Sequence, residues 1–118
     1  MTRLRILLVD DDPSVLDLTQ ELLGMAGYAV EAATGPAAAL ALLEAGQIFD
    51  ALVTDHSMPG MSGEELIIRA RALNPALPCL LMTGHGEMTD MEIDVAVLRK
   101  PFRASELAAA VRGVLGSA

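Results

Sequence analysis

Leu4-Arg5-Ile6-Leu7-Leu8-Val9-Asp10-Asp11-Asp12-Pro13 is the stretch that decides the fold. A short apolar run of this kind reads as a strand buried on both faces. It stops abruptly at three aspartates. Asp12 followed by Pro13 then starts a helix, with the carboxylate as N-cap and proline at the first helical position. Val15, Leu18 and Leu22 are expected to form the apolar face of that helix, and Gly24 or Gly27 to end it.

The same strand-then-helix unit recurs along the chain. Residues 28–32 read as a weaker strand, and Gly35-Pro36 opens an alanine- and leucine-rich helix that closes near Gly46. Residues 49–54 form a third strand that ends at Asp55, followed by the loop His56-Ser57-Met58-Pro59-Gly60-Met61. Ser62 with Glu65 three positions on is a capping box for a helix that stops at Asn74-Pro75. Residues 78–82 are a fourth strand ending at Thr83-Gly84, residues 95–98 a fifth ending at Arg99-Lys100-Pro101, and residues 105–115 a final amphipathic helix. Five apolar strands separated by helices imply an α/β fold: a parallel sheet with helices on both faces. Right-handed crossovers restrict the topology, and the expected arrangement is flavodoxin-like, doubly wound, with strand order 2-1-3-4-5. Ligands in such sheets sit beyond the carboxyl ends of the strands where the order reverses, here between the first and third strands.

Composition limits what the chain can be. Its 118 residues, 53% hydrophobic, suit one compact domain over 1–118 with ample core material. No apolar run is long enough to span a bilayer, and the first residues lack the apolar region of a secretory signal. The one cysteine, Cys79, suits a reducing cytoplasm and reads as a buried small hydrophobe. A net charge of -8 argues against binding nucleic acid or anionic membrane.

The strand ends carry the chemistry. Asp10 and Asp11 follow the first strand, Asp55 the third, Thr83 the fourth and Lys100 the fifth. Three carboxylates, a hydroxyl and an ammonium thus converge on one edge of the sheet. Clustered carboxylates repel one another unless a cation offsets them. Magnesium suits an all-oxygen set, with about six ligands at roughly 2.0–2.1 Å, retained waters among them. A carboxylate beside such an ion can attack phosphorus and form an acyl phosphate, and Lys100 supplies a second positive partner for the phosphoryl oxygens. Lys100 is also the only lysine in the chain, so the bland reading of a stray surface charge is weaker than usual.

Four collinear stretches carry a resemblance: Leu7-Leu8-Val9-Asp10-Asp11-Asp12-Pro13, Val53-Thr54-Asp55-His56-Ser57-Met58-Pro59-Gly60-Met61-Ser62-Gly63, Leu81-Met82-Thr83-Gly84 and Lys100-Pro101-Phe102. Together they resemble the response-regulator receiver domain of two-component signalling. The resemblance implies that Asp55 is the phosphoacceptor and that Asp11 and Asp55 ligate Mg2+ directly, with Asp10 acting through a metal-bound water. It implies that Ser57 adds its backbone carbonyl to the metal, that Thr83 hydrogen-bonds the phosphoryl group, and that Lys100 pairs with it beside a cis Lys100-Pro101 peptide. The implied phosphodonor is a phosphohistidine on a histidine kinase or a histidine phosphotransfer protein. Phosphorylation would switch binding of a downstream protein, and the chain would catalyse only its own phosphorylation and dephosphorylation.

Two features depart from the family pattern. Val97 stands where receivers commonly carry an aromatic switch residue. Only 16 residues separate Thr83 from Lys100 (100 − 83 − 1), so the helix between the fourth and fifth strands is expected to shrink to a turn or two or to be irregular. That shortening resembles receivers attached to hybrid histidine kinases and some stand-alone ones. His56 and His85 read as loop residues, Arg99 and Arg103 either as charges that steer a phosphodonor or as solvated charges, and Met58, Met61, Met82, Met88 and Met91 mostly as packing. The alternatives are a pseudo-receiver that binds partners without phosphorylation and an aspartyl-nucleophile phosphatase. Ser57 counts against the phosphatase, because it cannot serve as the general acid such enzymes place two positions after the nucleophile.

Overall fold

The computed structural model describes residues 3–84 and 93–116. In chain order the elements are β1 (Arg5–Val9), α1 (Pro13–Met25), β2 (Ala29–Ala33), α2 (Pro36–Glu44), β3 (Ala51–Asp55), α3 (Gly63–Leu73), β4 (Cys79–Thr83), β5 (Ala96–Arg99) and α4 (Ala104–Gly116). The sheet order is β2-β1-β3-β4-β5 and every neighbouring pair is parallel. The flavodoxin-like order expected from the strand and helix pattern is therefore correct. The expected reduced helix falls mostly on residues 85–92, which lie outside the described residues.

Successive side chains of a strand point to opposite faces, so the sheet feeds two cores. Leu7, Val9, Leu52 and Leu81 meet Leu40, Leu66, Ile67 and Ala70 of α2 and α3. Ile6, Leu8, Val53, Leu80 and Met82 meet Leu16 and Leu23 of α1 and Leu107 and Val111 of α4. Each fully buried leucine or isoleucine contributes about 1.5–3 kcal/mol relative to exposure. The three inner strands carry most of that burial, which holds their carboxyl ends in fixed register.

The helix starts follow local chemistry. Asp12 caps α1 by accepting from the Ser14 and Val15 amides at 3.0 and 3.4 Å. Ser62 Oγ accepts from the Glu65 amide at 3.1 Å to cap α3, but the Glu65 carboxylate turns outward to Arg69 at 2.9 Å, so half of the expected capping box forms. The expected face of α1 needs correction as well. Leu16, Thr19 and Leu23 are the buried positions, whereas Leu18 is 58% exposed. Apolar residues at 15, 16, 18, 22 and 23 permit two overlapping stripes, and the one that docks recruits a threonine that apolar periodicity passes over.

Candidate functional site

The site is built by register. Val9 of β1 pairs with Thr54 of β3, so Asp10 and Asp55, the next residue on each strand, come side by side. Both are buried, at 1% and 6% exposure, while Asp11 is exposed. Asp10, Asp11 and Asp55 each offer a carboxylate oxygen within 4.8 Å of the others. Asp10 is oriented by its own turn, where its Oδ1 accepts from the Asp12 amide at 2.9 Å. The Asp12-Pro13 helix start thus also aims the first carboxylate.

Lys100 reaches this cluster from the sheet edge. Thr83 pairs with Arg99 in the β4–β5 ladder, and one more rung, from the Lys100 amide to the Thr83 carbonyl at 2.7 Å, carries the chain to the lysine. The Lys100-Pro101 peptide is cis. Lys100 Nζ lies 2.9 Å from Asp55 Oδ1 and 3.5 Å from Asp10 Oδ2. Burial pulls the Lys100 pKa down, but the hydrogen bond and charge of Asp55, then those of Asp10, outweigh it, and the ammonium is held above its ordinary value. Lys100 is therefore a fixed positive charge at neutral pH, set between two carboxylates.

Thr83 ends β4 and is 1% exposed. Since β4 lies between β3 and β5, Thr83 stands between Asp55 and Lys100 in strand order. Ser57 is exposed in the loop after β3, with His56 Nδ1 3.4 Å from its Oγ. His56 is half-buried, and Met58 and Met61 pack against the α2–α3 core. Arg99 and Arg103 are exposed, which suits either reading of them, and Cys79 and Met82 are buried, as expected. Val97 is 43% exposed, so the position of the family's aromatic switch projects outward from an edge strand. His85, Met88 and Met91 lie outside the described residues. The chemistry available is that of an oxygen-rich pocket able to hold a hard divalent cation, with a nucleophilic carboxylate and a paired ammonium.

One residue gained a role that the sequence did not reveal. Gly63 opens α3 directly against the site. A Cβ there would fall on the Asp55 carbonyl and 2.8 Å from Leu81 Cδ1. The Pro59-Gly60-Met61-Ser62-Gly63 spacing was the available signal, but the need for a bare Cα appears only once α3 is docked.

Comparison with known proteins agrees with this geometry. Residues 6–112 match the response regulator receiver domain, and the chain belongs to that family, the receivers of two-component signalling. It is 38% identical over 115 residues to the transcriptional regulatory protein FixJ of Azorhizobium caulinodans, covering 92% of this chain and 53% of that protein. The chain thus spans about half the length of that curated relative. Among solved structures it resembles a response regulator receiver protein from Sinorhizobium medicae, with a TM-score of 0.90, 29% identity, and 98% and 96% of the two chains covered. It also resembles the receiver domain of the hybrid histidine kinase CckA, with a TM-score of 0.80, 31% identity, and 94% and 98% covered. Among the described residues no helix is long and apolar enough to cross a membrane.

Proposed function

We propose that residues 1–118 act as one cytoplasmic receiver domain that takes a phosphoryl group onto Asp55 and thereby switches the binding of a downstream protein. The observation that carries this reading is the bridge from Lys100 Nζ to Asp55 and Asp10, made across 45 and 90 positions of sequence beside a third carboxylate. Asp10, Asp11, Asp55 and the Ser57 backbone carbonyl are the groups that would hold Mg2+. When bound, the ion offsets the negative charge of the carboxylates and of the incoming phosphoryl group.

The phosphodonor is a phosphohistidine on a histidine kinase or histidine phosphotransfer protein. In the transfer an Asp55 carboxylate oxygen forms a bond to phosphorus as the phosphorus–nitrogen bond of the donor breaks, and the released imidazole takes up a proton. Lys100 then shares its ammonium between the acyl phosphate and Asp10, and Thr83 donates to a phosphoryl oxygen. Hydrolysis of the acyl phosphate resets the domain, so the chain catalyses changes only on itself. The acidic balance of the chain favours a protein target over nucleic acid.

The test is transfer from a phosphohistidine-bearing phosphotransfer protein. Label should pass to this chain with Mg2+ and stay on the donor with a chelator. Equal transfer in both conditions would refute the metal-dependent mechanism, and no transfer from any phosphohistidine donor would refute the phosphorelay role.

A further inference from the structure

The residue before the phosphoacceptor has its own place in the geometry. Thr54 is fully buried, at 0% exposure. Alternation along β3 puts it on the same face as Leu52, toward α2 and α3, while Asp55 points to the opposite side. Its Oγ1 donates to the backbone carbonyl of Asp55 at 3.0 Å. The same carbonyl is the atom that a side chain at Gly63 would strike. On the other side of that peptide, the His56 amide donates to the Met82 carbonyl at 2.8 Å, and the His56 carbonyl accepts from the Gly63 amide at 2.8 Å. The Asp55–His56 peptide is therefore gripped by a hydroxyl, by a glycine Cα at close approach and by one backbone hydrogen bond, and the next peptide, His56–Ser57, is held by the other. Immediately beyond it lies Ser57.

We infer that Thr54 is a positioning residue: its buried hydroxyl, acting with the bare Cα of Gly63, fixes the Asp55–His56 peptide plane and so aims the backbone carbonyl of Ser57 at the cation site. This rests on the reading of Ser57 as a metal ligand. Packing alone does not require a threonine, because valine has the same shape and buries without a polar cost. The hydroxyl matters only if the orientation of that peptide matters. A hydroxyl of this kind is worth about one net hydrogen bond, which corresponds to roughly a three- to tenfold change in an equilibrium constant.

The test compares wild type, Thr54→Val and Thr54→Ser. The first readout is hydrogen exchange at the His56 and Gly63 amides without metal, and the second is Mg2+ affinity by calorimetry. Thr54→Val should speed exchange at those two amides and weaken Mg2+ binding, each by about three- to tenfold, while exchange at Leu7 in the core stays unchanged. Thr54→Ser, which keeps the hydroxyl, should retain wild-type behaviour in both readouts. Wild-type exchange and Mg2+ affinity in Thr54→Val would overturn the inference, as would loss of both in Thr54→Ser. If wild type itself takes up no Mg2+, the metal reading fails, and the exchange arm alone decides whether Thr54 holds the peptide.

Discussion

β3 and β5 end at the same site yet are held very differently. All five residues of β3 are buried, between β1 on one side and β4 on the other. Among the described residues β5 is an edge strand with a single ladder, to β4, and three of its four residues are exposed. Asp55, the proposed phosphoacceptor, thus stands on a strand that the core grips on both faces and both edges. Its positive partner stands on a strand gripped along one edge. Local stability in a protein follows such differences in burial and bonding. The pair Asp55–Lys100 joins a rigid half to a compliant one, and the compliant half is the one with room to follow a change of charge at Asp55.

The largest test of that contrast is mutational. Leu52→Ala in β3 should lower unfolding stability by about 2–5 kcal/mol, the cost of a cavity in a closed core. Val97→Ala in β5 should change it by no more than about 0.5 kcal/mol, since the side chain is already exposed. Chemical denaturation of both variants checks this, and equal losses would erase the distinction. Metal should act next in size. Mg2+ at about 100 times its dissociation constant should add about 2.7 kcal/mol to stability, and Asp11→Asn should remove most of that gain, as read from thermal melts with and without the ion.

The smallest effect concerns pH. The Lys100 pKa is raised in the folded protein, so its contribution to stability is fully present below the unfolded value of about 10.4. That contribution is lost as pH climbs through the higher folded value. Wild type should therefore exceed Lys100→Met in stability near neutral pH, with the gap narrowing on the alkaline side of pH 10. A gap that stays constant as pH climbs well past 10 would contradict the assignment of the pair.

Much of this arrangement was legible in the sequence, because its signals are local. Asp12-Pro13 starts a helix wherever it falls after a strand, and Asp10, Asp55, Thr83 and Lys100 mark strand ends by breaking apolar runs. What escaped depends on contacts between distant segments. The docked face of α1 could not be chosen from five apolar positions without the sheet beneath it. Glu65 found Arg69 instead of the Ser62 amide, because an exposed partner one helical turn along competes with the cap. The demands on Gly63 and Thr54 come from the approach of α3 to the Asp55 carbonyl, a distance that no spacing in the sequence encodes.

Asp55 is the proposed site of phosphorylation. Intact mass spectrometry after incubation with Mg2+ and acetyl phosphate tests it directly. Wild type should gain the mass of one phosphoryl group and Asp55→Asn should gain none. Equal uptake by Asp55→Asn, or uptake by neither protein when a phosphohistidine donor is offered as well, would contradict the account.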